Sequence, residues 1–184
     1  PVMEGKAVLF KRFADVDSID LELDTEDPDK FIEAVALMEP SFGGINLEDI
    51  AAPECFIIEQ ALRERMNIPV MHDDQHGTAI IAAAGLINAC EVTGRKLSDC
   101  KMVVNGAGAS ALACTALVKA MGMKHENVIV CDRSGPIYPG RKDVDQWKSA
   151  HAVETEARSL EEALDGADIF LGLSAAGALK PEWV

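Results

Sequence analysis

The stretch Lys101 to Cys114, "KMVVNGAGASALAC", decides the fold of the second half of the chain. It passes from a short apolar run, typical of a buried strand, into an alanine-rich run typical of a helix. Between them, Gly106 to Ala111 matches the pattern G-x-G-x-x-A. The first glycine permits a tight turn, the second lets the backbone approach a pyrophosphate, and the third small residue lets helix and strand pack closely. The pattern predicts a dinucleotide site at a helix N-terminus; the alternative is a Gly/Ala-rich turn that serves packing alone.

An acidic residue ends the next apolar segment, "NVIVCD". Asp132 therefore stands where a ribose-binding acid belongs, some way along the chain from the glycine motif. The acid favours the free ribose hydroxyl of NAD, whereas the neighbouring Arg133 could hold the 2′-phosphate of NADP. The residues alone leave the cofactor open.

Strands and helices alternate through the second half. We expect helices over residues 109–121, 144–153 and 160–164, and a third buried strand in "ADIFLGLS". Such alternation is typical of a parallel, doubly wound α/β sheet. The polar segment "TGRK", from Thr93 to Lys96, is our candidate domain boundary and divides the chain into residues 1–92 and 93–184.

The first half has a less regular pattern. It predicts strands over residues 7–13, 19–23 and 68–71, and helices that begin near Asp27 and Ala52. A further helix over residues 77–92 is apolar nearly all round, so we expect it to be deeply buried.

Two acidic pairs each follow a short apolar segment of the first half. They are Glu48-Asp49 in "INLEDI" and Asp73-Asp74 in "MHDDQHGTA". If the two segments are neighbouring strands, the carboxylates converge at one edge and offer the hard oxygen ligands that Mg²⁺ or Mn²⁺ prefers. The alternative is that Asp49 and Asp74 cap the helices behind them.

The histidines and Lys6 have weaker patterns. His72 and His76 are spaced H-x-x-x-H, but we place them on a strand end and a turn, so their rings need not converge on zinc. We expect His125 and His151 to be solvated. Lys6 is either a surface charge or, if it faces the acidic cluster, a base.

Composition excludes several classes of protein. The formal net charge of −14 argues against nucleic acid as a partner. No apolar run approaches the length of a membrane helix, roughly 20 residues. The five cysteines are scattered and predict reduced core thiols, hence a cytoplasmic location. The chain opens on Pro1 and stops at Val184 after a strand-like segment, so we expect a piece of a longer protein.

Four motifs in this order resemble the malic enzymes, in particular their bacterial-type branch. They are "PVMEGKAVLFKRFADVD", "GGINLEDIAAPECF", "IPVMHDDQHGTA" and "VVNGAGASA". The resemblance implies part of a substrate and metal domain, residues 1–92, followed by part of a Rossmann-like NAD(P)-binding domain, residues 93–184.

The resemblance also implies an activity: oxidative decarboxylation of (S)-malate to pyruvate and CO₂ with reduction of NAD(P)⁺, with NADP favoured over NAD, in a cytoplasmic homo-oligomer. Lys6 resembles the family's general base, and Asp73 the carboxylate that orients it. Glu48, Asp49 and Asp74 resemble the ligands of Mg²⁺ or Mn²⁺. The residues implied on the cofactor side are Asp74, Thr78, Asn105, Gly106, Ala107, Gly108, Ala109, Ser110, Asp132, Arg133 and Ser174.

Two parts of the family pattern are missing. The tyrosine that serves as the acid in this family would precede residue 1, and Tyr138 does not match it. A segment that carries an asparagine would follow Val184. We therefore expect the chain to be inactive alone. The rival functions are an NAD(P)-dependent hydroxy-acid dehydrogenase that does not decarboxylate, and a non-catalytic nucleotide-binding module.

Overall fold

A computed structural model describes residues 1–184, which divide into two compact units, Pro1–Met71 and His72–Val184. The predicted domain boundary near Thr93 stays a prediction. The helices are α1 (Val2–Ala14), α2 (Pro28–Leu37), α3 (Glu54–Arg65), α4 (Asp73–Thr93), α5 (Ala109–Ala120), α6 (Gln146–Ser149) and α7 (Leu160–Leu164). The strands are β1 (Ile45–Leu47), β2 (Val70–His72), β3 (Met102–Asn105), β4 (Val128–Asp132), β5 (Gly135–Pro136) and β6 (Ile169–Gly172).

The first unit is built around the packing of α2 on α3. Helix α2 begins where predicted, because the Asp27 side chain accepts hydrogen bonds from the backbone N–H groups of Asp29 and Lys30. Apolar side chains of both helices form a core with those of the short strands; its buried members are Ile32, Val35, Leu47, Ile58, Leu62, Met66 and Val70. Strands β1 and β2 are hydrogen-bonded neighbours in a two-stranded sheet.

Two predicted strands of the first half are wrong. Residues 7–13 lie inside helix α1, and residues 19–23 have no regular structure. Alternating apolar residues form a strand only beside a partner that accepts their backbone hydrogen bonds, and the segment 19–23 has none. Ile19 is accordingly exposed. In α1, the apolar residues lie among lysine, arginine and glutamate, which favour helix, and no residue of α1 is fully buried.

The second unit has the predicted parallel sheet, but the prediction that its third strand is buried is wrong, because β6 is only partly buried at the edge of the sheet. Its strand order is β5-β4-β3-β6, with β3 parallel to both β4 and β6. Every residue of β3 is buried, as expected for a central strand covered on both faces. The two-residue strand β5, antiparallel to β4, was not predicted, because a Gly-Pro pair carries no strand pattern.

Helix α4 differs most from its prediction. It starts at Asp73 rather than Gly77, and it packs on α5. Only Gln75, Ala79 and Ala83 of α4 are buried, whereas Ile81 and Val92 are 71% and 87% exposed. The prediction of deep burial is therefore wrong within this chain. Buried residues occur on one side of α4 only, and two of the three are alanines. Helix α6 is also shorter than its predicted range, and no helix is both long and apolar enough to span a membrane.

Candidate functional site

Lys6 and Glu48 form an ion pair in the first unit. Lys6 lies in the second turn of α1, and its Nζ is 3.2 Å from Oε2 of Glu48. The Glu48 side chain is 7% exposed and also accepts a hydrogen bond from Nδ2 of Asn46. A carboxylate this far removed from water requires such partners. Lys6 is thus not merely a surface charge: it faces the first acidic pair.

Asp49 follows Glu48 in a left-handed backbone conformation, with φ of 55°. Non-glycine residues seldom adopt this region, though Asp tolerates it better than most. Asp49 lies two residues beyond the end of β1, and the Asp49 side chain is exposed. Lys6, Glu48 and Asp49 all line one cavity of about 1140 Å³ in the first unit.

Asp73 and Asp74 form the first turn of α4, where the helix dipole favours negative charge. Neither Asp49 nor Asp74 acts as a helix N-cap: the cap positions of α3 and α4 are Pro53 and His72, and neither helix has a side-chain capping bond. The structure therefore does not support the capping alternative.

The side chain of Asp73 folds back over Gly77. A Cβ atom built at Gly77 would overlap Oδ1 of Asp73 and lie 2.8 Å from its Cγ. A side chain at Gly77 would therefore force the Asp73 carboxylate to move, although the backbone of Gly77 is ordinary helix. Thr78 follows it in the same turn of α4, with a half-buried side chain.

The two histidines of "MHDDQHGTA" do not behave alike. His72 ends β2 with its side chain fully buried, and its Nε2 lies 3.5 Å from Oδ2 of Asp74. His76, which we placed in a turn, lies inside α4.

The glycine motif forms a tight turn that leads into the N-terminus of α5. Gly106 has φ of 129°, a conformation that L side chains rarely adopt, and a Cβ there would overlap the carbonyl oxygen of Leu173. At Gly108 a Cβ would meet nothing within 4 Å. Gly108 is the N-cap of α5 and has no side chain to occupy the free N–H groups of Ala109 and its successors. The loop therefore packs against Leu173 at Gly106 and is open at Gly108, which fits the approach of a phosphate.

Asn105 and Ser174 meet at the ends of two neighbouring strands, β3 and β6. Asn105 ends β3, Ser174 follows β6, and Nδ2 of Asn105 donates a hydrogen bond of 2.8 Å to Oγ of Ser174. The backbone N–H of Gly106 donates to the carbonyl of Cys131 on β4. The ends of three parallel strands thus meet at one edge, which is where open α/β sheets bind their ligands.

Asp132 has a partner that the sequence did not reveal. Arg141 donates from Nη1 and Nη2 to the two carboxylate oxygens of Asp132, at 3.0 and 2.9 Å. It also donates to Asp143 at 2.8 Å, and this pair lowers the pKa of the Asp143 carboxyl to about 2. The same two carboxylates raise the pKa of Arg141 above its ordinary value, Asp143 first and Asp132 second. No local pattern pairs positions nine apart across a loop, so only a search for a buried partner of Asp132 could have found Arg141.

Arg133, by contrast, is exposed and makes no ion pair. It directly follows Asp132 at the end of β4. The five cysteines are all free thiols, as predicted. The prediction that His151 is solvated is wrong, because it is partly buried and contacts Lys119.

Two family models match the chain in sequence order. The malic enzyme N-terminal domain matches residues 1–63, and the malic enzyme NAD-binding domain matches residues 75–182. The second match alone covers more than half of the chain. The chain belongs to the malic enzyme family.

Known malic enzymes are similar along the whole chain. An NADP-dependent malic enzyme of Rhizobium meliloti is 69% identical over 185 residues, covering 100% of this chain and 24% of that protein. An NAD-dependent malic enzyme of the same organism is 54% identical, covering 99% of this chain and 24% of that protein. The chain thus spans about a quarter of the length of these relatives.

Solved structures agree with the fold. The NAD-dependent malic enzyme of Thermotoga maritima superposes with a TM-score of 0.93 at 45% identity, over 100% of this chain and 50% of that one. The mixed α/β fold, with a Rossmann-like NAD-binding domain after the N-terminal part, is therefore that of a malic enzyme.

Proposed function

We propose that the protein containing this chain oxidises and decarboxylates (S)-malate to pyruvate and CO₂, with NADP⁺ as the hydride acceptor and a divalent cation. The observation that carries this proposal is the ion pair between Lys6 and the nearly buried Glu48. This contact between Lys6, the candidate base, and Glu48, a candidate metal ligand, supports both assignments.

Lys6 would take the proton of the C2 hydroxyl of malate. An amine acts as a base through the lone pair of its nitrogen. The Asp73 carboxylate, held over Gly77, would orient the base.

Glu48, Asp49 and Asp74 would hold the cation. All three offer carboxylate oxygens, the donor type that Mg²⁺ and Mn²⁺ prefer. Glu48 directly follows β1, Asp74 lies two residues beyond β2, and the two strands are neighbours. When bound, the cation would act as a Lewis acid toward the substrate oxygens.

The cofactor would occupy the edge of the second unit's sheet. The free N–H groups of α5 would bind the pyrophosphate, with Asn105 and Ser174 beside them. The resemblance to malic enzymes also assigns Asp74, Thr78, Ala107 and Ser110 to the cofactor. When bound, the nicotinamide would supply the hydride acceptor for the oxidation at C2 of malate. The resulting β-keto acid would then lose CO₂.

We favour NADP over NAD on the geometry of two residues. Arg141 engages both oxygens of Asp132, which leaves this carboxylate less able to accept from a ribose hydroxyl. Arg133, exposed and without an ion pair, is available for a 2′-phosphate.

Product analysis tests the proposal. Full-length protein supplied with malate, NADP⁺ and Mn²⁺ should release pyruvate and CO₂ in equal amounts with NADPH. Accumulation of oxaloacetate without CO₂ would favour the dehydrogenase alternative instead.

Metal binding separates the proposal from a non-catalytic nucleotide-binding module. Asp74→Ala should weaken Mn²⁺ binding, measured by titration of free Mn²⁺ with electron paramagnetic resonance. The control is Glu91→Gln, which also removes a negative charge of α4 but lies exposed near its other end. Equal Mn²⁺ affinity in both variants would overturn the ligand assignment.

A cytoplasmic location and a homo-oligomeric state complete the proposal. The five free thiols support a reducing compartment. Light scattering on the full-length protein measures the oligomeric state.

A further inference from the structure

We propose that Lys119 is a site of covalent acylation, whose ε-amino group reacts with activated acyl donors of the acyl phosphate class. Lys119 lies in the last turn of α5, in the NAD-binding part of the chain. None of the residues around it belongs to the site described above, so this inference goes beyond the proposed function and does not depend on it.

Two imidazoles surround the amine of Lys119. Its Nζ lies 3.0 Å from Nδ1 of His125 and 3.4 Å from Nδ1 of His151. Nε2 of His125 lies 3.0 Å from the carbonyl oxygen of Ala152. A carbonyl can only accept, so Nε2 carries the hydrogen and Nδ1 of His125 presents a lone pair to Lys119. The amine thus has a proton acceptor within hydrogen-bond distance.

Lys119 differs in its partners from the lysines that form ion pairs. Lys11 contacts Asp15 and Asp17, and Lys148 contacts Asp145. Such carboxylates hold a lysine as an ammonium ion. The groups facing Lys119 are His125 and His151, and it has no carboxylate within ion-pair distance.

Burial also favours the neutral form of the Lys119 amine. Desolvation lowers the pKa of Lys119 to about 8. His151 is affected likewise: burial first, then the charges of Lys119 and His125, lower its pKa to about 4. The cluster therefore holds a substantial fraction of neutral amine near neutral pH, the condition for a nucleophilic lysine.

The reaction balances without a further reagent. The lone pair of Nζ attacks the carbonyl carbon of the acyl phosphate, the bond from that carbon to the phosphate oxygen breaks, and phosphate leaves with the bonding pair. The proton lost by the nitrogen passes to Nδ1 of His125 and on to solvent. The amide product has one N–H where the ammonium had three, so it can donate to only one of the two imidazoles.

Competitive labelling of the full-length protein tests the proposal, with acetyl phosphate as the probe and peptide mass spectrometry as the readout. The control is Lys124, an exposed lysine five positions away that forms no ion pair. At pH 7.5 Lys119 should be acetylated about tenfold faster than Lys124, since its larger neutral fraction outweighs the lower nucleophilicity of a less basic amine. Its rate should level off above about pH 8, whereas an ordinary exposed lysine gains reactivity up to about pH 10. A rate at Lys119 equal to or below that at Lys124 would overturn the proposal.

A second variant tests the role of the imidazole. His125→Gln keeps a hydrogen-bonding side chain but cannot take a proton at neutral pH. It should slow acetylation of Lys119 severalfold and leave Lys124 unchanged, with the thermal unfolding temperature as a check of folding. An unchanged rate at Lys119 in the folded variant would overturn the assignment of His125. If the variant does not fold, the wild-type pH profile decides.

Discussion

Arg141 engages both carboxylate oxygens of Asp132, with Nη1 to Oδ1 at 3.0 Å and Nη2 to Oδ2 at 2.9 Å. The side chains of this pair are only 5% and 15% exposed. Arg141 also donates to the carbonyls of Gly135 and Pro136. One guanidinium thus fixes the end of β4, the strand β5 and the loop between them.

Replacing Arg141 should destabilise the NAD-binding part of the chain. In Arg141→Met, the nearly buried Asp132 carboxylate loses its partner, at a cost of about 3 kcal/mol. Urea unfolding of the full-length protein measures the change. Arg133→Met, on the exposed neighbour, should change the free energy of unfolding by less than about 0.5 kcal/mol. Equal effects of the two substitutions would show that the pair does not stabilise this loop.

Arg133 should determine the preference for NADP. Arg133→Ala removes the exposed guanidinium proposed to bind the 2′-phosphate, so kcat/KM for NADP⁺ should fall about tenfold or more. The value for NAD⁺, which lacks this phosphate, should change little. Lys124→Ala, which removes an exposed cation elsewhere in the chain, is the control. Parallel losses with both cofactors would be inconsistent with this role.

Gly77 should matter through Asp73. A methyl group at Gly77 must displace the Asp73 carboxylate, so Gly77→Ala should lower kcat by about 10²-fold through a misplaced catalytic group. Gly85→Ala is the matched control, because a Cβ there meets nothing within 4 Å in the same helix. It should stabilise α4 by up to about 1 kcal/mol and leave kcat unchanged. Normal turnover in Gly77→Ala would argue against a role for Asp73.

His151 should make the free energy of unfolding depend on pH between its ordinary pKa of 6.5 and its lowered pKa of about 4. Its folded pKa is lowered to about 4 from 6.5 by burial, with the charges of Lys119 and His125 adding to the effect. The unfolded chain therefore binds more protons in this window, and the stabilisation present above pH 6.5 is lost as the pH falls toward 4. Partial exposure reduces the expected loss to about 1–2 kcal/mol. Urea unfolding of His151→Gln against wild type at pH 7 and pH 4.5 measures it, and an identical pH dependence would contradict the assignment.

Local patterns predicted the second half of the fold well. "MVVN" and "VIVCD" are strands that are buried on both faces, so their continuous apolar runs indicated both the element and its place. The first half was harder, since no residue of α1 is fully buried within this chain and its apolar run, residues 7–10, is equally typical of a strand. In α4 the composition suggested burial on all sides, whereas only Gln75, Ala79 and Ala83 are buried within this chain.

The candidate site also has parts that the sequence predicted and parts that it did not. The turn at Gly106 was predictable because its conformation depends on the residue itself and its close neighbours. The partnership of Asp132 with Arg141, and that of Lys119 with two histidines, depends on how loops fold back. Such contacts leave no periodic trace in the sequence.

The most direct test of the account is Lys6→Ala in the full-length protein, with kcat and Mn²⁺ binding measured side by side. Lys6 pairs with Glu48 but offers no ligand to a cation, so its loss should remove proton transfer and spare the metal site. We expect kcat to fall about 10²–10⁴-fold with Mn²⁺ affinity retained. A near-normal kcat would contradict it.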